Sequence, residues 1–345
     1  MAAAIRRLPN NKGPSVNIDR SLAVIAALGV TLLAGCATTG FDVQGHRGAR
    51  GLAPENTLAA FDTAMTLGVT TLELDVGITK DGVVVVHHDR TLNTDIARDA
   101  AGAWIDTKGI AVSSLTLAEL KRFDVGRLRP NSNYGKPFET QVPRDGERIP
   151  TLREVFDRVN ARGGSHIRFN IETKLAPDAP NETLAPEPFV RALIAEIRRA
   201  KLTDRSTIQS FDWRTLRVAE REAPEIATVY LTTQQGAGDR VQAGKPGKSP
   251  WLAGFDVDDH GGSVPALLAA IGARIWSPNA RDLTEANIKE AKALKLSIVP
   301  WTVNEEADMQ RLIEAGVNGI ITDYPDRLRR VMGAKQMPLP PAIKP

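Results

Sequence analysis

From residue 41 onward the hydrophobic positions fall into short runs of strand character, each followed by a stretch in which apolar residues recur at helical spacing. The runs are "DVQGHRG", "TLELDV", "IRFNIET", "STIQSF", "IATVYL", "ARIWSPN", "LSIVPWTV" and "NGIITD". Segments such as "LTEANIKEAKAL" and "EEADMQRLIEAG" carry the amphipathic helical pattern. Strand alternating with helix predicts a parallel sheet covered by helices. Eight such units predict that the sheet closes into a barrel.

One run breaks the alternation. "VVVVHHD" follows "TLELDV" after only "GITKDG", whereas a parallel crossover needs about a dozen residues or more. The segment therefore reads as a hairpin. With Asp81-Gly82 as a two-residue turn, Lys80 pairs with Val83 and Asp75 with His88. Paired residues share a face, so His88 folds back over an acidic strand and His87 turns away as a structural residue. Residues 90–148, rich in Asp, Arg, Asn, Gly and Pro, are too long for an ordinary barrel loop. They predict an inserted lobe above the barrel mouth. After it, Thr151 and Glu154 in "IPTLREVF" form a capping box at a helix start, and "QMPLPPAIKP" reads as a frayed tail.

Residues 1–35 have another character. Arg6, Arg7, Lys12 and Arg20 precede the apolar run "SLAVIAALGVTLLAG", which stops at Cys36. At about 15 residues the run falls short of the roughly 20 that a membrane-spanning helix needs, so a cleaved export signal is expected. Leu33-Ala34-Gly35-Cys36 resembles the bacterial lipoprotein signal, in which the cysteine receives a lipid and becomes the mature N-terminus. A plain secretory signal ending at a chance cysteine is the alternative. The resemblance makes 1–35 a signal peptide, Cys36 the lipidation site and 36–40 a linker. Residues 41–332 are then the barrel and 333–345 the tail. It implies a protein anchored to a membrane by its lipid and facing the periplasm, or periplasmic if unlipidated. Cys36 is the only cysteine, which rules out an intramolecular disulfide.

The formal charge of +3 comes from 44 basic and 41 acidic residues. Removing 1–35 leaves 40 of each, with no basic stripe of the kind nucleic-acid binding needs. A small substrate fits better. Polar residues gather where strands end: His46, Arg47, Glu73, Asp75, Glu172, Lys174, Gln209, Trp301 and Asn304. In closed α/β barrels those ends carry the chemistry.

His46 alone reads as a hydrogen-bonded core histidine. Arg47 beside it changes the reading, because guanidinium and imidazole together suit an anionic oxygen, phosphate above all. Glu73 and Asp75 share one face of a strand, and carboxylates that close repel unless a proton or cation is shared. An oxygen-only set suits magnesium, calcium or manganese rather than zinc; an acid pair held by hydrogen bonds or ion pairs is the plainer alternative. Glu172 offers a third carboxylate at another strand end, with Lys174 projecting to the same side. His166 and His260 read as cap and loop residues.

His46-Arg47-Gly48, Pro54-Glu55-Asn56-Thr57, Glu73-Leu74-Asp75-Val76, Thr79-x-Asp81-Gly82, His88-Asp89, Glu172-x-Lys174, Gln209-Ser210-Phe211, Trp301-Thr302-Val303-Asn304 and Thr322-Asp323-x-Pro325 resemble, in order and spacing, the glycerophosphodiester phosphodiesterase family. The likeness extends along nearly all of the mature chain. It implies a TIM (β/α)8 barrel with a small insertion after the second strand, and a divalent metal, Ca2+ or Mg2+, held by Glu73, Asp75 and Glu172. It also implies His46 and His88 as the acid–base pair, Arg47 and Lys174 on the phosphate, and Glu55 and Trp301 lining the site. The reaction implied is hydrolysis of deacylated phospholipids to an alcohol and sn-glycerol 3-phosphate. His87 is not carried over, and "RTLNTDIARD" after His88 departs from the Arg-Thr-Thr run frequent in the family.

Three other readings compete. A lipid-directed phosphodiesterase of the lysophospholipase D or sphingomyelinase type fits the anchor. A non-catalytic binding lipoprotein has no need of both histidines and all three acids. A metal-dependent sugar isomerase has less reason to set Arg and Lys around one anion.

Overall fold

In β2 (Thr71–Ile78) the residues Leu72, Leu74 and Val76 enter an apolar layer beneath the helices. Glu73 and Asp75 point the other way, because successive side chains on a strand face opposite sides. The same division recurs in β4 (Arg168–Thr173), where Phe169 and Ile171 join the apolar layer and Asn170 and Glu172 face inward. This computed structural model describes residues 40–344 with Ala2 and Ala4. The chain divides into units Met1–Ala34 and Gly35–Pro345, and the elements named below belong to the second. The expected signal peptide and Cys36 lie outside the described residues.

The remaining strands are β1 (Asp42–Gly45), β3 (Val84–Val86), β5 (Ser206–Ser210), β6 (Ala227–Thr232), β7 (Ile275–Pro278), β8 (Ser297–Ile298) and β9 (Gly319–Thr322). The helices are α1 (Leu58–Leu67), α2 (Leu117–Leu120), α3 (Leu152–Ala161), α4 (Pro186–Ala200), α5 (Trp213–Glu222), α6 (Val264–Ala270), α7 (Glu285–Ala293), α8 (Glu306–Ala315) and α9 (Pro325–Ala334). Parallel pairing runs β8-β7-β6-β5-β4-β2-β1-β9. Backbone hydrogen bonds from Asn318 to Ile298, Ile321 to Pro300 and Val303 to Ile321 (2.8–3.0 Å) join the end strands. The eight-stranded TIM barrel expected from the sequence is the fold. Phe61, Phe156, Phe169, Phe189 and Trp213 are fully buried between sheet and helices, each stabilising the fold by about 1.5–3 kcal/mol relative to exposure.

The capping box at α3 forms as predicted: Thr151 Oγ1 accepts from Glu154 N–H, and Glu154 reaches back to the Thr151 N–H. The hairpin also forms, with a different register. Val76 pairs with Val86, Gly77 with Val85 and Ile78 with Val84, so Asp75 lies opposite His87, whose N–H donates to the Asp75 carbonyl at 3.0 Å. The reason is Thr79. Its hydroxyl accepts the Val83 N–H at 3.0 Å and donates to Asp81 Oδ1 at 2.6 Å, while the Lys80 N–H goes to Leu115 of the lobe. The loop is therefore Lys80-Asp81-Gly82, with Gly82 at φ 81°, a three-residue hairpin loop with its bulge.

The inserted segment has a small apolar cluster, in which its Leu92, Ala97, Val112, Leu120 and Val125 are buried together with the flanking Val85 and Ile149. The C-terminal segment is not frayed. Ile343 is buried and its N–H donates to Met65 O at 2.9 Å, while Arg329 Nη1 holds both Gly68 O and Pro340 O. Proline removes a donor but leaves its carbonyl free to accept.

Candidate active site

Two glycines let the chain turn sharply as it leaves β1. A Cβ on Gly45 would lie 2.0 Å from Gly48 O. Arg47 and Gly48 both take positive φ, 49° and 88°, and a Cβ on Gly48 would meet the Ala60 backbone at 2.7 Å. The turn brings His46 and Arg47 over the acidic end of β2. His46 Nδ1 bonds Asp323 Oδ1 at 2.6 Å, and Nε2 stands 3.9 Å from Glu73 Oε2. Arg50 grips both Asp323 oxygens at 2.9 and 3.1 Å, and Asn304 Nδ2 donates to Oδ2 at 2.7 Å. Burial opposes charge on Asp323, but Arg50 and His46 outweigh it and hold its carboxyl below the usual range. Burial and the nearby Arg50 and Arg47 lower the His46 pKa despite Asp323.

Strand register places the acids. Asp75 pairs with Glu172 and Glu73 with Asn170 between β2 and β4; Glu172 pairs with Gln209 between β4 and β5. Glu73 accepts from Gln209 Nε2 at 2.7 Å and from the Arg47 N–H at 2.9 Å. Asn170 Nδ2 donates to both Gln209 Oε1 and Gln44 Oε1 at 2.9 Å, so a buried amide layer inside the barrel supports the acid above it. Asn56 Nδ2 holds Asp75 Oδ2 at 2.9 Å. Lys174 Nζ bonds Glu172 Oε1 at 2.6 Å and stands 3.6 Å from Asp75 Oδ1.

Oxygens of Glu73, Asp75 and Glu172 lie within 4.8 Å of one another. Burial and the like charges of Asp75 and Glu172 push the Glu73 carboxyl well above its ordinary pKa. Burial lifts Glu172 to about 7 against the pull of Lys174, with Asp75 adding to the rise. Asp75 goes the other way: burial would raise it, but His88, Lys174, Arg47 and His46 together hold it low. Asp75 Oδ1 is buried without a hydrogen-bond partner. Three buried carboxylates, one with an orphaned oxygen and none accompanied by a sulfur ligand, fit a hard divalent cation.

His88 comes to this site although the predicted register fails, because β3 ends at Val86 and strand alternation no longer governs its direction. Its Nδ1 bonds Asp89 Oδ1 at 2.7 Å, and Asn93 Nδ2 holds Asp89 Oδ2 at 2.8 Å. Partial burial and repulsion from Arg47 and Lys174 hold the His88 pKa well below its ordinary value. His87 is buried outside this network, with Nε2 3.4 Å from Thr91 O. Trp301 is half-buried beyond β8; its Nε1 donates to Ser277 O at 3.0 Å, and its ring meets Phe211 edge-on at 5.2 Å. His166 is exposed and His260 closes a short helical turn, and neither joins the network.

Arg47 Nη1 donates to Glu55 Oε1 at 2.7 Å and to Tyr134 OH at 3.0 Å. Sequence reasoning missed Tyr134, which stands in the inserted lobe with no periodic pattern around it. It also gave no part in the site to Asp323, Asp89 or Asn56, although all three stand inside quoted motifs. An acid adjacent to, or recurring with, a candidate histidine was the available signal, since imidazoles in active sites are commonly oriented by carboxylates.

The chain resembles known proteins in both sequence and fold. The model of the glycerophosphoryl diester phosphodiesterase family matches residues 46–327. A glycerophosphodiester phosphodiesterase of Bacillus subtilis is 30% identical over 292 residues, covering 83% of this chain and 84% of its own. The crystal structure of a glycerophosphoryl diester phosphodiesterase assigned in Silicibacter pomeroyi superposes with a TM-score of 0.76 at 35% identity, covering 86% of this chain and 95% of that one. A phosphodiesterase of Oleispira antarctica in complex with the product sn-glycerol-3-phosphate shares the fold, with a TM-score of 0.61 at 23% identity over 85% of this chain and 96% of that one. With a family model spanning most of the barrel and a curated relative at this identity, the chain belongs to the glycerophosphoryl diester phosphodiesterase family and is an enzyme of that class.

Proposed function

We propose that this enzyme splits glycerophosphodiesters into an alcohol and sn-glycerol 3-phosphate with His46 and His88 as its acid–base pair. The observation that carries the reading is the matched pair of imidazoles at one acidic barrel mouth. Each gives Nδ1 to a carboxylate, which fixes the ring and leaves Nε2 for a reacting oxygen. Arg47 and Lys174 neutralise the phosphate and orient it between the rings. One imidazole takes a proton from the nucleophile, water or the glycerol 2-hydroxyl, as its oxygen bonds to phosphorus; the other gives a proton to the alcohol oxygen as the P–O bond breaks. Where the 2-hydroxyl attacks, water then opens the cyclic phosphate to sn-glycerol 3-phosphate. Both rings have lowered pKa values, so the one acting as acid gains its proton as the anionic diester binds. Ca2+ or Mg2+ held by Glu73, Asp75 and Glu172 would supply Lewis-acid stabilisation of the phosphoryl oxygens. The product bound to the Oleispira antarctica protein supports sn-glycerol 3-phosphate as the product here.

Product analysis tests this reading. The purified chain, given a panel of deacylated phospholipids with magnesium or calcium added in turn, should release the head-group alcohol and sn-glycerol 3-phosphate, and chelator should stop it. Choline or ethanolamine release from lysolipids without turnover of the soluble diesters would replace it with the lysophospholipase D reading.

We further propose that the protein is exported and lipidated at Cys36. The "LAGC" junction after a basic, then apolar, N-terminus supports this. In cells given labelled palmitate, the wild-type chain should carry label and sediment with membranes. Cys36→Ala should lose the label, and label retained by the variant would refute the assignment.

A further inference from the structure

Residues 133–142 of the inserted lobe run across the loop between β1 and α1. The Val142 N–H donates to Leu52 O at 2.9 Å, Gln141 Nε2 to Arg50 O at 2.7 Å and Thr140 Oγ1 to Gly51 O at 2.9 Å. The Arg50 guanidinium lies over the Phe138 ring, 4.4 Å from its centre, and Tyr324 OH donates to Pro137 O at 2.8 Å. A Cβ on Gly51 would stand 2.2 Å from the Tyr324 ring, so loop, strap and ring are fitted closely together. This strap presents Tyr134 to the site. Its hydroxyl donates to Glu55 Oε2 at 2.6 Å and accepts from Arg47 Nη1 at 3.0 Å.

The guanidinium and carboxylate forks match, and such pairs commonly close with two parallel hydrogen bonds. Here Glu55 takes a single N–H of Arg47, because Tyr134 occupies its other oxygen. Arg47 Nε is buried 3.4 Å from Asp75 Oδ2 without a hydrogen bond to it, and Nη2 makes no hydrogen bond among the described residues. That leaves Nη2 as the charged donor available to a phosphate oxygen.

We infer that Tyr134 is a positioning residue: its hydroxyl caps Glu55 so that Nη2 of Arg47 stays open for the substrate phosphate. The inference rests on the phosphodiesterase reading and extends it, giving the inserted lobe a part in binding. Without the hydroxyl, Glu55 has a free oxygen with which to close on Arg47 and compete with the phosphate.

The test uses the full chain in magnesium buffer, with inorganic phosphate binding followed by calorimetry and glycerophosphoethanolamine as substrate. Tyr134→Phe keeps the ring. It should weaken phosphate binding and raise KM by about tenfold, change kcat less, and leave the thermal midpoint near wild type. Adding Glu55→Gln removes the competing charge and should restore most of the phosphate affinity, which a packing role would not produce. Wild-type phosphate affinity in Tyr134→Phe, or a loss that Glu55→Gln does not relieve, would overturn the inference. A wild-type chain that binds phosphate but turns over no diester refutes the phosphodiesterase reading, and the binding series still decides the role of Tyr134.

Discussion

His46→Ala and His88→Ala each lower kcat on a soluble glycerophosphodiester by about a hundred- to ten-thousand-fold, the usual contribution of a positioned acid or base. Neither change should unfold the chain. When the His46 ring is removed, Asp323 keeps both bonds from Arg50 and the one from Asn304, so no buried carboxylate is orphaned. When the His88 ring is removed, its partner Asp89, itself 34% exposed, keeps the bond from Asn93. Steady-state kinetics alongside a thermal unfolding curve measures both effects. Turnover within threefold of wild type in either folded variant would remove that histidine from the acid–base pair. The two should not add: if one takes the proton and the other gives it within one displacement, the double variant loses little beyond the worse single one.

What the sequence made legible follows from the range of each interaction. Strand, helix and barrel were readable because alternation and helical spacing are local patterns, as Leu72, Leu74 and Val76 against Glu73 and Asp75 illustrate. The acid triad was readable for the same reason, since two of its members are two residues apart and the third recurs at the next strand end. The hairpin register was not, because the Thr79 hydroxyl decided it by taking a backbone donor that a two-residue turn would have left to the ladder. Asp323 and Tyr134 lie 277 and 87 residues from the side chains they hold. No local pattern encodes such a pairing; only the closed barrel and the folded-back lobe create it. The tail was misread because its prolines suggest freedom, while burial of Ile343 and the Arg329 hydrogen bonds supply the fixing contacts.

Glu172→Gln should stabilise the metal-free chain at pH 8 while abolishing most of its response to metal. Burial lifts the Glu172 carboxyl to about 7, against Lys174 and with the help of Asp75. A folded pKa raised above the ordinary 4.5 gives stability that is fully present below about pH 4.5 and lost as pH rises through about 7. At pH 8 the wild-type chain without metal therefore carries an ionised carboxylate in a buried, like-charged setting. The amide is neutral throughout, and its oxygen can still accept from Lys174. With chelator present, the variant should exceed wild type by on the order of 2 kcal/mol at pH 8 and show no such advantage at pH 5. Adding magnesium or calcium reverses the order, because a cation that binds only the folded state stabilises the wild type and the variant lacks one charged ligand. Urea unfolding at both pH values, with chelator and with metal, measures the four stabilities. Equal stability of the two chains in chelator at pH 8, or an undiminished metal response in Glu172→Gln, would break the argument. The carboxylate charge that costs stability in the empty site is the same charge that holds the cation, so stability is expected to trade directly against activity at this position.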